Sequence, residues 1–196
     1  VLFSAGIEST YCLLWSIEQF QPVIPLHFTP SPSIQQERVI TIAQELRVVD
    51  SLALKHVRLP QAQMSSSIPG CGKDFFVPGR NCQFLLSAWQ YAVVNGIGVV
   101  VFGGTNRIFE GVESFPDQRE DNLQLFAQAL NACFGLGGDD RIRLLMPCAD
   151  LDKHQVASRI PAHLRPLTVS CNREGSVACG FCDSCLQAKR AYDMAD

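Results

Sequence analysis

Apolar residues follow two rhythms along this chain, and the rhythms alternate. Val1 to Phe3 form a short continuous apolar run that stops at Ser4-Ala5-Gly6. Leu13, Leu14, Ile17 and Phe20 then repeat at helical spacing, which predicts a helix from roughly Glu8 to Gln19. Residues 22–28 (PVIPLHF) read as a buried strand, and Ser33 with Gln36 matches a capping box ahead of Val39, Ile40, Ala43 and Leu46, a second helix. Residues 51–59 alternate as a third strand, and 60–79, with six Pro or Gly residues, form a long loop. From Asn81 onward, Phe84, Leu85, Ala88 and Ala92 share one helical face. Residues 97–104 (IGVVVFGG) are a continuous strand ending in two glycines. Asp117 and Glu120 flank the start of another helix, with Leu123, Phe126, Ala127, Leu130 and Phe134 on its apolar side. Residues 141–147 complete the strands, and a short helix begins at about Asp152.

Strand–helix alternation of this kind predicts an α/β fold, a doubly wound, mostly parallel sheet with helices on both faces. The last 26 residues are too rich in cysteine and too poor in apolar side chains to join it. The expected division is therefore a body over 1–165 and a small cysteine-bearing unit over 166–196.

Composition narrows the classes of function. A net charge of −3, without clusters of Lys or Arg, gives no electrostatic reason to bind nucleic acid. No apolar run approaches the roughly 20 residues of a membrane span. The expectation is a cytoplasmic protein without a secretory signal, with a few residues lost ahead of Val1. Nine cysteines in a chain of this size fit a reducing compartment and a metal site better than disulfides.

Four of the nine, Cys171, Cys179, Cys182 and Cys185, crowd into fifteen residues. The Cys-x2-Cys spacing lets both sulfurs turn toward one tetrahedral ion, and Gly180 gives the backbone freedom for the turn. Four thiolates suit Zn2+ and leave no open position for substrate, so the expected role is structural; buried or bridged cysteines, or iron in the same cage, are the alternatives. Cys12 and Cys133 fall in helical patterns and read as core-packing residues. Cys71 lies in the long loop, and nothing in the sequence activates it.

A strand, a small-residue turn and a helix N-terminus make an anion site, because the first helical N–H groups lack partners and the helix dipole favours negative charge. Hydroxyls at Ser4, Ser9 and Thr10 add donors. The Walker A pattern is absent. An ordinary strand–helix turn is the bland alternative. The stretch SAGIEST (4–10) resembles the Ser-Gly-Gly-x-Asp-Ser pyrophosphate loop of the ATP-pyrophosphatase superfamily. VPGRN (77–81), SFPDQRED (114–121), DK (152–153) and SCNREGSVACGFCDSC (170–185) follow in the order found in the 7-cyano-7-deazaguanine synthases, and the resemblance covers essentially the whole chain.

The resemblance implies an adenine-nucleotide-alpha-hydrolase-like fold and an ATP-dependent carbon–nitrogen ligase. Such enzymes adenylate the carboxylate of a small-molecule substrate, 7-carboxy-7-deazaguanine, and release pyrophosphate. Ammonia gives the amide, and a second activation dehydrates it to the nitrile. On this expectation Ser4, Ala5, Gly6, Ile7, Glu8, Ser9 and Thr10 hold ATP. Glu8 is the nearest carboxylate for Mg2+. Arg80 and Arg119 grip the acid, and Lys153 neutralises phosphate or is simply a surface lysine. Asn81, Gly104, Asn106 and Asp117 contact substrate, with Asn81 and Asp117 also readable as helix caps. A homodimer is left open, and the four histidines form no cluster.

The chain departs from the family at four places. Ala5 stands where the second loop glycine is usual, Glu8 for aspartate and Gln118 for cysteine, and residues 28–37 lack the Tyr-Gly-Gln…His pattern. Two further readings follow: a paralogue that delivers the activated acid to another amine, and a non-catalytic binding module. A sulfur-transferring enzyme is third, since the tail takes up the obvious cysteines.

Overall fold

The computed structural model describes residues 1–29, 34–56, 79–171 and 177–195, without the side chains of residues 29 and 56. The helices are α1 (Ile7–Gln19), α2 (Ile34–Glu45), α3 (Arg80–Val94), α4 (Glu120–Cys133), α5 (Lys153–Ser158) and α6 (Asp183–Asp193). The strands are β1 (Leu26–Thr29), β2 (Ala53–His56), β3 (Val99–Val101), β4 (Arg107–Phe109), β5 (Val112–Glu113) and β6 (Arg143–Leu145). The expected capping box at Ser33, the loop over 60–78 with Cys71, and the end of the third strand lie outside the described residues.

Short parallel pairs, β1 with β2 and β3 with β6, are joined by the opening segment. Leu2 bridges Leu26 in parallel, and Leu2 N–H donates to Val101 O at 2.9 Å. The hydrogen-bonded order is therefore β2–β1–opening segment–β3–β6, with the first strand in the middle. In such an order the chain winds outward in two directions, and a crevice opens at the strands' carboxyl ends where the directions part. The opening segment leads into Ser4–Gly6 there, and β3 leads into Gly103–Gly104.

Alternation along the central strand divides the core. Leu2 packs with Leu85, Trp89, Leu123 and Leu130 of α3 and α4, whereas Phe3 packs with Leu13 of α1 and Val39 and Ile42 of α2. Helices thus cover both faces, as the pattern predicts. The strands are shorter than the apolar runs that announce them: residues 97–104 supply only Val99–Val101 as strand. Cys133 is exposed, so it is not the core residue that its helical position suggests, whereas Cys12 is buried.

The tail docks on the body through α6. Ala188, Ala191 and Tyr192 join the cluster of Ile7, Val156, Ile160 and Leu164, and the Arg190 guanidinium lies 4.4 Å from the centre of the Phe109 ring. Two cysteines of the tail, Cys171 and Cys182, are buried with Phe3, Ala5 and Leu13.

Candidate active site and metal centre

The turn from the opening segment into α1 is a left-handed one. Ala5 has φ 58°, a region that costs a residue with a Cβ on the order of 1 kcal/mol, and it is fully buried. This is the position where the resembled loop carries glycine, and Ala5 takes the positive φ there. Gly6 is the N-cap in extended backbone and provides no side-chain cap. The first intrahelical bond runs from Thr10 N–H to Gly6 O at 2.9 Å. The N–H groups of Ile7, Glu8 and Ser9 therefore precede helical pairing and form a cluster of donors at the positive end of the helix dipole.

The hydroxyls fold the turn onto itself. Ser4 N–H donates to Ser9 Oγ at 3.2 Å, the two serine oxygens lie 3.2 Å apart, and Ser9 Oγ–H donates to Gly6 O at 3.2 Å. Thr10 is fully buried, and its hydroxyl has no hydrogen-bond partner among the described residues. An orphaned hydroxyl beside unpaired N–H groups fits a site built for an oxygen-rich anion.

Glu8 and Lys153, far apart in sequence, meet here: Lys153 Nζ lies 2.6 Å from Glu8 Oε1. Both are mostly buried, with side chains 11% and 20% exposed for Lys153 and Glu8, so Lys153 is not a solvated surface residue. It opens α5 just after Asp152, which caps that helix in a reciprocal box with Gln155. Cys148, in the turn after β6, sits 3.4 Å from Cys12 through its sulfur and donates to Glu8 O at 3.7 Å. The neighbouring Cys12 thiol and burial push the Cys148 thiol up, so Cys148 stays a protonated thiol at neutral pH.

Gly103 and Gly104 bring a second group of residues to the same strand ends. A Cβ on Gly103 would come within 2.9 Å of the Glu8 carbonyl carbon, and one on Gly104 would meet the Gln118 carbonyl oxygen. Neither fits. The two glycines let α1 and the 116–118 turn approach β3 from opposite sides, so their smallness serves the chain's own backbone. Asn106 accepts from Glu120 N–H at 2.9 Å through Oδ1, and so caps α4 from a distance.

Asp117 was expected to cap the helix that follows it, and the structure corrects this. The residue at the N-cap of α4 is Arg119, and the carboxylate of Asp117 instead accepts from Asn81 N–H at 3.2 Å, in the first turn of α3. Asn81 is likewise not an N-cap; Gly79 holds that place in left-handed backbone. The second oxygen of Asp117 is buried and has no partner among the described residues. Burial lowers the pKa of the neighbouring Arg80, and the Asp117 charge opposes that shift. Arg119 spreads its guanidinium between Glu113 and Asp121, both at 3.2 Å. Glu113 lies on the β4–β5 hairpin, an element without a clear rhythm in the sequence.

In the tail, the ligand atoms of Cys171, Cys179, Cys182 and Cys185 all lie within 4.8 Å of one another. A tetrahedral ion with metal–sulfur bonds of about 2.3 Å separates its sulfurs by about 3.8 Å, and Cys179 and Cys185 stand 4.0 Å apart. Cys179 N–H points at Cys171 Sγ and Cys182 N–H at Cys179 Sγ, both at 3.4 Å. Against a desolvation cost, N–H groups of Phe181 and Cys182 bring the Cys179 thiol down to about 6, which favours the thiolate a metal needs. Gly180 takes φ 77°, as the tight turn demands. By geometry and donor set the four cysteines could hold one metal ion.

Fold and site together define a doubly wound α/β protein with a C-terminal cluster of four cysteines close enough to bind a metal. The profile of the family described as queuosine biosynthesis protein QueC matches residues 1–196, and the chain belongs to that family. Among its relatives, a 7-cyano-7-deazaguanine synthase of Laribacter hongkongensis is 31% identical over all of this chain and 90% of its own length. One of Burkholderia cenocepacia is 30% identical over 98% of this chain and 90% of its own. One of Acetivibrio thermocellus is 27% identical over the whole chain and 92% of its own. Among the described residues no helix is long and apolar enough to cross a membrane.

Proposed function

We propose that this chain is an ATP-dependent carbon–nitrogen ligase that converts 7-carboxy-7-deazaguanine and ammonia to 7-cyano-7-deazaguanine in the cytoplasm. The observation that carries the reading is the convergence at one sheet crevice of an uncapped helix N-terminus, an orphaned Thr10 hydroxyl and the Glu8–Lys153 pair. Family membership and the names of the relatives support the same substrate class.

A carboxylate is a poor electrophile, and joining it to adenylate supplies a leaving group. The N–H groups of Ile7, Glu8 and Ser9 hold the departing pyrophosphate, with Thr10 as a further donor. Lys153 releases Glu8 and neutralises phosphate, while Glu8 is the carboxylate available to Mg2+, which usually takes one or two carboxylates plus phosphate oxygens. Arg80 and Arg119 orient the acid. Arg119 can exchange its solvent-exposed partners Glu113 and Asp121 for a substrate carboxylate at little cost. Asp117, Asn81, Gly104 and Asn106 line the side of the crevice assigned to the deazapurine. Cys171, Cys179, Cys182 and Cys185 hold Zn2+, which supplies structural cross-linking of the tail.

The test is the first product made from Mg-ATP when the acid and ammonium are present: pyrophosphate under this reading. Release of inorganic phosphate would overturn it. The second reading, transfer of the activated acid to another amine, draws on Gln118 and on residues 28–37; amide or free adenylate as the end product would favour it.

A further inference from the structure

The strap that leads from the body to the cysteine cluster touches the phosphate loop at one point. Val169 N–H donates to Ala5 O at 2.8 Å, and Cys171 follows two residues later. Val169, Cys171, Cys182 and Ala5 are buried in one cluster, and the space beside Gly6 is bounded by Val169 O, 3.9 Å from where a Cβ would lie. The bond falls on the residue that most needs holding, because Ala5 is in left-handed backbone without glycine's freedom.

We infer that Val169 is a positioning residue: its backbone N–H, held by metal ligation at Cys171, clamps Ala5 and so shapes the loop that binds nucleotide. This rests on the reading of residues 4–10 as the ATP loop. A metal on the four thiolates would fix Cys171, and the two intervening peptide units limit how far Val169 can move from Ala5. Metal binding should therefore be felt at the loop although no thiolate reaches the nucleotide. In this chain the coupling matters more than it would with glycine at position 5, which occupies the left-handed region unaided.

The experiment compares zinc-loaded wild type, Val169→Ala, Val169→Pro and Val169→Pro with Ala5→Gly, measuring zinc content, melting and ATP affinity by calorimetry. Proline removes the N–H. Thr168 at φ −70°, ψ 147° already has the backbone that a following proline requires. Val169→Ala keeps the donor and should bind ATP within about twofold of wild type. Val169→Pro removes the N–H, sets its ring carbon against Ala5 O, and should keep its zinc and weaken binding by at least about fivefold, the loss of one hydrogen bond or more. Ala5→Gly in that background should recover most of the loss. ATP affinity in Val169→Pro equal to wild type would overturn the inference.

Should Val169→Pro fail to fold, hydrogen exchange on the wild-type chain decides. The Val169 amide should be protected with zinc bound and exchange at least tenfold faster once a chelator removes it. Equal protection in both states would refute the coupling. If the zinc-loaded wild type binds no ATP, the nucleotide reading fails, and this exchange comparison judges the clamp alone.

Discussion

Lys153 Nζ and Glu8 Oε1 stand 2.6 Å apart, joining the first turn of α1 to the first residue of α5 across most of the chain. Both side chains are largely withdrawn from water, so removing one leaves the other charged and poorly solvated. Lys153→Met should lower stability by about 2 kcal/mol, below the 3–5 kcal/mol of a fully buried pair because some solvent reaches both groups. Glu8→Gln combined with Lys153→Met should recover part of that loss. Urea melts of the two single variants and the double variant give the coupling, and additivity would show that the pair contributes nothing.

That pair also marks what could be read in advance. Glu8 and Lys153 each stand out from their motifs, but their meeting does not, because 145 positions separate them and only the fold brings them together. The helices were legible for a plain reason: α3 and α4 bury one stripe each, and the stripe is written as Phe84, Leu85, Ala88 and Leu123, Ala127, Leu130. The β4–β5 hairpin was not, since its two short strands carry mainly exposed or half-buried residues and no sustained alternation. Asp117 misled because local sequence suggests the nearest helix, whereas the carboxylate accepts from Asn81 N–H in the first turn of α3. Gly103 and Gly104 stood out as the end of a continuous apolar strand run, and the chain's own backbone packs against both. The four cysteines were read in full, because ligand spacing within fifteen residues is a local property.

Ala5 should respond to glycine as its left-handed backbone dictates. Relief of the Cβ penalty, about 1–2 kcal/mol, is partly offset by glycine's greater freedom in the unfolded chain, about 0.5–1 kcal/mol. Ala5→Gly should thus be neutral or stabilising by up to about 1 kcal/mol, with ATP affinity unchanged or improved. A clear loss of ATP affinity in calorimetry would contradict the loop geometry.

His27 is buried, its Nδ1 lies 2.9 Å from Phe3 O, and its Nε2 has no partner among the described residues. Burial lowers its pKa below the ordinary histidine value. The unfolded chain therefore takes up a proton first, and stability should fall as pH drops below about 6.5, by up to about 1.4 kcal/mol per pH unit until the folded pKa is passed. Above that range the contribution is constant. Urea melts from pH 8 to pH 5 should show a steeper decline for wild type than for His27→Gln; identical slopes would remove His27 from the account.

The cysteine cluster should hold one zinc per chain by elemental analysis. Cys182→Ser should lose it and loosen the tail, since structural zinc contributes apparent binding free energies of about 10–16 kcal/mol in small peptides. Full metal content in that variant would sink the assignment of the four ligands.

The central claim is that the carboxylate of 7-carboxy-7-deazaguanine is activated by joining it to adenylate in the crevice between Ser4–Thr10 and Asp117. The most direct measurement supplies that acid with its carboxylate labelled with oxygen-18, together with Mg-ATP and ammonium, and follows the label by mass. An acyl-adenylate carries a carboxylate oxygen into AMP when ammonia displaces it. The account predicts labelled AMP, unlabelled pyrophosphate and a nitrile product. Label in inorganic phosphate, or AMP without label, would contradict it.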